Sequence, residues 1–290
     1  MIMCLVSIHE LIQRSRNKKS DNCDAFLSVF EAERLLCEVI EVDRAWLRTH
    51  PEYILSSKQK SQYLEFKARR ERGEPISYII GRQGFWNLEL KVNENVLIPR
   101  PESELIIEIV LELPLKEHSL VLDLGTGSGA LALALASEKS KWDIIGTDIY
   151  DISLQMAEAN RNEIALENVL FIKSNWFDDL PKGSKLTRKY DLVVSNPPYL
   201  DKRDPHLQEG DLRFEPKNAL VSLDFGLADI KKIIYSSIDF LAVNGWLVVE
   251  HGFDQGYSVR SFFQAAKFVD FRTVRDLNNL ERVTLGRFKG

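Results

Sequence analysis

Cysteine is scarce in this chain. Cys4, Cys23 and Cys37 are the three present, all near the amino end, and they lack the spacing and histidine partners of a metal site. That counts against a disulfide framework and a Cys/His metal centre and fits a reducing compartment, so a cytoplasmic protein without a bound metal is expected. Long apolar runs are missing too. The opening MIMCLVSI is brief, is soon followed by Glu10 and Arg14, and shows no small-residue cleavage pattern, so neither a signal peptide nor a membrane span is expected. There is no excess of positive charge. A formal net charge of −5 and a pI near 5.7 count against a general nucleic-acid binder, whose basic surface must displace counterions from phosphates. The short basic runs Arg14–Lys19 and Ala68–Arg72 read as solvated helix faces or loops. Internal repeats and low-complexity tracts are also absent.

What is present is a soluble-type composition over 290 residues, a length for which two domains are the natural expectation. Residues 1–82 predict a small helical domain. Ala32, Leu35, Leu36, Val39 and Ile40 recur at helical spacing, as do Tyr63, Leu64 and Phe66. Pro51 interrupts the pattern, because proline disfavours helical geometry in the residue before it, and Gly73-Glu74-Pro75 ends the last long helix. Residues 83–104 predict a β-hairpin linker: Leu88, Leu90 and Val92 alternate, and Asn93-Glu94-Asn95 offers a turn before Val96-Leu97-Ile98. Ser103 is placed to cap a helix over Leu105–Leu113. Over residues 105–290 short apolar runs alternate with helical stretches, which predicts a doubly wound, mostly parallel α/β sheet. Two closing strands, Phe268–Val274 and Arg282–Phe288, are separated only by a loop and predict an antiparallel pair at one edge.

Asp123-Leu124-Gly125-Thr126-Gly127-Ser128-Gly129 joins a buried strand to an Ala/Leu-rich helix. Ligands of open α/β sheets bind at such carboxyl ends, where glycines let the backbone approach them. The spacing is G-x-G-x-G rather than the dinucleotide G-x-G-x-x-G. Asp123 two residues before the first glycine suits a cationic sulfonium and an amino group better than a pyrophosphate. S-adenosyl-L-methionine is therefore favoured over a dinucleotide, with a tight turn that binds nothing as the bland alternative. Asp148, at the end of the second strand, is placed to accept both ribose hydroxyls of an adenosyl group, a role common to both cofactors. Trp176 offers a flat face to an adenine ring, or is a partly exposed core tryptophan.

Ser195-Asn196-Pro197-Pro198-Tyr199 ends the fourth strand. Proline removes ladder donors, so this reads as a rigid loop. An amide or aromatic amine nitrogen is a poor nucleophile, but its two hydrogens can be held by the Asn196 side-chain oxygen and the Pro197 carbonyl. That aims the lone pair at a methyl group, and positioning of this kind lowers a barrier substantially. Tyr199 can pack flat against the planar acceptor. A double-proline turn with a structural asparagine is the alternative.

With these residues in hand, the chain closely resembles the peptide chain release factor glutamine methyltransferases, the HemK/PrmC family, over nearly its whole length. The resemblance rests on Ile76–Gly81, Leu97–Glu102, the DLGTGSG and NPPY loops, Gly210–Pro216, Glu250-His251-Gly252 and Glu281–Arg287. It implies a class I Rossmann-like methyltransferase domain over 105–290 and a helical domain that docks the protein substrate. It implies Gly125, Thr126, Gly127, Ser128, Gly129, Asp148, Trp176 and Asn196 around S-adenosyl-L-methionine, with S-adenosyl-L-homocysteine as product. Asn196, Pro197, Pro198 and Tyr199 are implied around the glutamine of the Gly-Gly-Gln motif of bacterial release factors. A monomer that makes no direct nucleic-acid contact is expected. Asn175 departs from the family, where an aspartate commonly precedes the tryptophan. Arg213 and Glu215 either meet the release factor or pair with each other across their loop, and His251 reads as structural rather than as an acid or base. NPPY alone is shared with adenine-amine methyltransferases, so a DNA or RNA adenine methyltransferase is the second reading. It would need a flipped base and a basic channel. A nicotinamide-dependent oxidoreductase would leave NPPY unexplained.

Overall fold

Two reciprocal caps shape the amino-terminal helices in the computed structural model, which describes residues 6–16, 27–180 and 189–290. The helices are α1 (Ile8–Arg16), α2 (Val29–Ile40), α3 (Arg44–Thr49), α4 (Ser57–Glu71) and α5 (Ile76–Ile80). At the start of α2 the Ser28 hydroxyl accepts the Glu31 N–H while the Glu31 carboxylate accepts the Ser28 N–H. Ser56 and Gln59 repeat the device at α4, satisfying amides that a helix start otherwise leaves bare. Ala32, Leu35, Leu36, Leu47 and Tyr63 are buried in one cluster. These helices, with Glu209–Phe214 from later in the chain, form one of two units. The basic run at the end of α4 is held by carboxylates. Arg69 pairs with Glu74, and Arg70 bonds both Glu31 and Asp211, each at 2.9 Å. Cys4, Cys23 and the side chains of Arg14–Lys19 lie outside the described residues.

The second unit spans Arg82–Gln208 and Glu215–Gly290. Its hairpin pairs β1 (Arg82–Phe85) with β2 (Leu88–Lys91), Phe85 opposite Leu88. The turn is therefore Trp86-Asn87, not Asn93-Glu94-Asn95, and Val96–Ile98 forms no strand. Trp86 takes a left-handed φ of 56°. Carboxylates hold the turn: Trp86 N–H donates to Glu104 and its indole N–H to Glu138. No glycine marks this turn, which is why the spacing of apolar residues pointed elsewhere.

The rest follows as α6 (Glu104–Glu112), β3 (Leu120–Leu124), α7 (Ala130–Glu138), β4 (Asp143–Asp148), α8 (Asp151–Ile164), β5 (Val169–Lys173) and β6 (Tyr190–Ser195). Then come α9 (Leu223–Gly226), α10 (Ala228–Ser237), β7 (Leu241–Glu250), α11 (Gly256–Ala265), β8 (Val269–Arg275) and β9 (Glu281–Arg287). The sheet order is β5-β4-β3-β6-β7-β9-β8, with β9 and β8 antiparallel at one edge as expected. Strand alternation sorts the core between two faces. Val121, Val194 and Val248 join the cluster with α6, α7 and α8, while Leu122, Val193 and Val249 join α10 and α11. Both faces are covered, which accounts for the continuous apolar runs of the central strands. From β3 the chain winds outward to β4 and β5, then returns to β6 on the other side of β3. That is the switch point of a doubly wound sheet, where ligands bind beyond the carboxyl ends.

Candidate active site

Ser195, at the end of β6, donates its hydroxyl to the Leu124 carbonyl at the end of β3, 2.8 Å away. This bond ties together the two strand ends from which the glycine loop and the Asn196 loop depart. Between them a cavity of about 230 Å³ is lined by Gly125, Gly127, Asp148, Trp176, Asn196 and Pro198, together with Asn95, Leu97, Asn218 and Asp229 among others. Thr126, Ser128, Gly129 and Pro197 are buried behind that surface.

The glycine loop turns on positive φ angles, 71° at Gly125 and 56° at Gly127. A Cβ at Gly125 would come 3.3 Å from the Trp176 ring, so a side chain there would fill the space between loop and indole. Gly127 N–H donates to Asp148 Oδ2 at 3.0 Å, and Tyr150 N–H to Asp148 Oδ1 at 2.9 Å. Each carboxylate oxygen retains a lone pair for a ligand hydroxyl. Burial raises the Asp148 carboxyl pKa against the pull of these amides.

Asp123 stands elsewhere than its motif position suggests. It is fully buried under the loop, where Oδ2 accepts the Thr126 hydroxyl at 2.6 Å and the Ala132 N–H at 3.3 Å. Burial pushes this carboxyl up to about 7. It shapes the loop and does not line the cavity. Trp176 takes a φ of 54°, and its indole N–H donates to Asp229 at 3.1 Å. Asn175 lines the same cavity.

On the acceptor side, the Asn196 amide nitrogen donates to the Ser103 hydroxyl at 2.9 Å. Ser103 makes no side-chain cap to α6, contrary to expectation. Its hydroxyl serves the site instead. The Tyr199 hydroxyl donates to Glu250 Oε1 at 3.1 Å. Glu250 is fully buried, and burial pushes its carboxyl up to about 7 against the Ser103 and Tyr199 hydroxyls and Arg282. Burial and the Glu250 charge together raise the Tyr199 phenol.

His251 is fully buried, its Nδ1 against the Gly252 carbonyl at 2.8 Å and its Nε2 against Thr284 Oγ1 at 2.9 Å. Burial lowers its pKa. Gln255 continues this network, accepting Gly252 N–H and donating to the Tyr199 and Phe225 carbonyls. Glu215 is held by Arg100 and accepts the Ile98 N–H at 3.2 Å, while Arg213 donates to the Arg72 carbonyl. Ser103, Glu250 and Asp229 are the site's additions to the sequence reading. Glu250 falls inside a family-like motif and Ser103 directly follows one, but nothing in their spacing shows that they meet.

A family model described as the PrmC N-terminal domain matches residues 27–81, and one described as a methyltransferase domain matches residues 115–264. A release factor glutamine methyltransferase of Pseudomonas aeruginosa is 43% identical, covering 93% of this chain and 96% of its own length. Its counterpart from Shewanella oneidensis is 41% identical, covering 90% of this chain and 89% of its own. Among solved structures, a methyltransferase from Pyrococcus furiosus aligns with a TM-score of 0.53 at 17% identity, over 81% of this chain and all of that one, a likeness of fold. With relatives this similar over nearly their full length, the chain belongs to the release factor glutamine methyltransferase family.

Proposed function

We propose that the chain transfers a methyl group from S-adenosyl-L-methionine to the side-chain amide nitrogen of the glutamine in the Gly-Gly-Gln motif of bacterial peptide chain release factors. It thereby supports translation termination, acting as a cytoplasmic monomer. The observation that carries the reading is that Asn196 lines one cavity with Gly125, Gly127, Asp148 and Trp176, at the switch point of the sheet. Membership of the family supplies the class of acceptor.

The donor chemistry fits these residues. Asp148 offers carboxylate lone pairs to ribose hydroxyls, Trp176 offers an indole face to a purine, and Gly125 and Gly127 keep the cavity side of the loop free of side chains. The cofactor supplies an electrophilic methyl group on a sulfonium. Asn196 Oδ1 and the Pro197 carbonyl each accept one hydrogen of the acceptor amide and aim its lone pair, as the N–C bond forms and the C–S bond breaks. Fixing the nucleophile in this way replaces the loss of translational and rotational freedom that a bimolecular step demands. The extra proton on nitrogen leaves to solvent after transfer, so the slow step asks no base of His251. The helical unit docks the release factor, since a single glutamine side chain offers little surface for recognition.

The test is incubation of the purified chain with labelled S-adenosyl-L-methionine and release factor, followed by mass spectrometric mapping. Methylation at the Gly-Gly-Gln glutamine supports the reading. Label that appears only in DNA or RNA offered in parallel overturns it in favour of an adenine methyltransferase.

A further inference from the structure

An asparagine amide can bind an acceptor NH₂ group only if its carbonyl, not its own NH₂, faces that group. In this chain the choice is made from outside the acceptor loop. Ser103 is a buried residue at the start of α6, far from Asn196 in sequence, and its Oγ accepts the Asn196 Nδ2 hydrogen at 2.9 Å. The Ser103 hydroxyl lies close enough to Glu250 to lower its carboxyl pKa against burial. Glu250 Oε1 already takes the Tyr199 hydroxyl, and Oε2, buried and without a hydrogen-bond partner among the described residues, is the acceptor left for the Ser103 proton. Once ionised, a carboxylate can only accept, so a hydroxyl that meets it points its proton at it. A Ser103 whose proton is committed to Glu250 can in turn only accept from Asn196. A flipped Asn196 would set Oδ1 against the Ser103 lone pairs and present a donor to an acceptor that itself carries donors.

We propose that Ser103 is a positioning residue for methyl transfer, holding the Asn196 amide in the one orientation that binds the acceptor nitrogen, with Glu250 fixing the direction of the Ser103 hydroxyl. The inference rests on the reading of Asn196 as the holder of the acceptor amide. Ser103 touches neither the acceptor nor the cofactor in this scheme. Its loss therefore moves the chemical step while leaving binding in place.

The experiment uses the full chain, labelled S-adenosyl-L-methionine and intact release factor, comparing wild type with Ser103→Ala, Ser103→Thr and Glu250→Gln. Ser103→Ala is expected to lower kcat ~10- to 100-fold, the scale of a misplaced reacting group, with cofactor Kd and release-factor KM within about twofold of wild type. Ser103→Thr keeps the hydroxyl and restores kcat to within about threefold, on the same scale. Glu250→Gln puts a donor where only an acceptor serves, and lowers kcat in the same sense even where Ser103→Ala proves too unstable to assay. A wild-type kcat in Ser103→Ala or in Glu250→Gln overturns the proposal. So does a parallel loss of cofactor affinity in Ser103→Ala, which would mark a merely structural role, or a threonine variant no better than alanine. The wild-type rate measured alongside reports on the functional reading itself. A chain inactive on release factor contradicts that reading, whereas active wild type with equally active Ser103→Ala overturns the role of Ser103 alone.

Discussion

Asp148 Oδ2 accepts the Gly127 N–H at 3.0 Å, so the carboxylate proposed to hold the cofactor also holds the loop that lies beside it. Asp148→Ala removes both at once. It is expected to weaken S-adenosyl-L-methionine binding by about 1.5–3 kcal/mol, the range for hydrogen bonds to a charged group. Calorimetric titration measures this directly, and an unchanged affinity would rule out the ribose-binding role.

Gly125→Ala tests the loop from the other side. Its φ of 71° places the residue in the left-handed region, which costs a residue with a Cβ roughly 1–2 kcal/mol, and the new methyl meets the Trp176 ring. Thermal melting should show a fall of about 2–8 °C, accompanied by weaker cofactor binding. A variant that melts and binds as wild type does would contradict the proposed packing of loop against indole.

Glu250 makes a prediction about pH. Its folded-state carboxyl is raised to about 7 from an ordinary 4.5, so between those values the folded chain keeps a proton that the unfolded chain has lost. That contribution to stability is fully present below about pH 4.5 and is lost as pH rises through about 7. Glu250→Gln cannot ionise. Its stability relative to wild type should therefore increase between pH 5 and pH 8, by up to about 3 kcal/mol. Asp123 is raised in the same direction but is common to both proteins and cancels. Denaturant unfolding at the two pH values checks this, and a difference of opposite sign would contradict the burial of an ionisable Glu250.

How far the sequence carried this description depends on whether a signal is local. The order of strands and helices was legible because central strands buried on both faces read as unbroken apolar runs, Leu120–Leu124 being one. The glycine loop, Asp148 and Asn196 were legible because each sits at a strand end, a position that the alternation of elements fixes. The hairpin turn was not, because Trp86-Asn87 is held by Glu104 and Glu138 from distant parts of the chain. Ser103 was misread for the same reason. Serine before a helix looks like a cap, and only tertiary structure shows its hydroxyl receiving Asn196. Helix α11 went unread between β7 and the closing strands, where Gly252 and Gly256 suggest loop.

The helical unit provides a prediction about docking. A chain lacking residues up to Gly81 should retain affinity for S-adenosyl-L-methionine and lose most of its kcat/KM for intact release factor, because remote contacts position the reacting group. Such a truncation also strips Asp211 of its bond to Arg70. An Arg70→Ala variant measured alongside separates that local loss from docking. A folded truncated chain with undiminished kcat/KM would contradict the docking role.

The central claim is that the acceptor is the amide nitrogen of a protein glutamine, and it is tested most directly from the substrate side. Replacing the glutamine of the release factor's Gly-Gly-Gln motif with glutamate removes the amide nitrogen and leaves size and shape nearly unchanged. The measurement is the rate at which label from S-adenosyl-L-methionine enters each release factor. Transfer to the glutamine form and none to the glutamate form, with both still bound by the chain, is the result the account predicts. Label entering the glutamate form at the normal rate would contradict it.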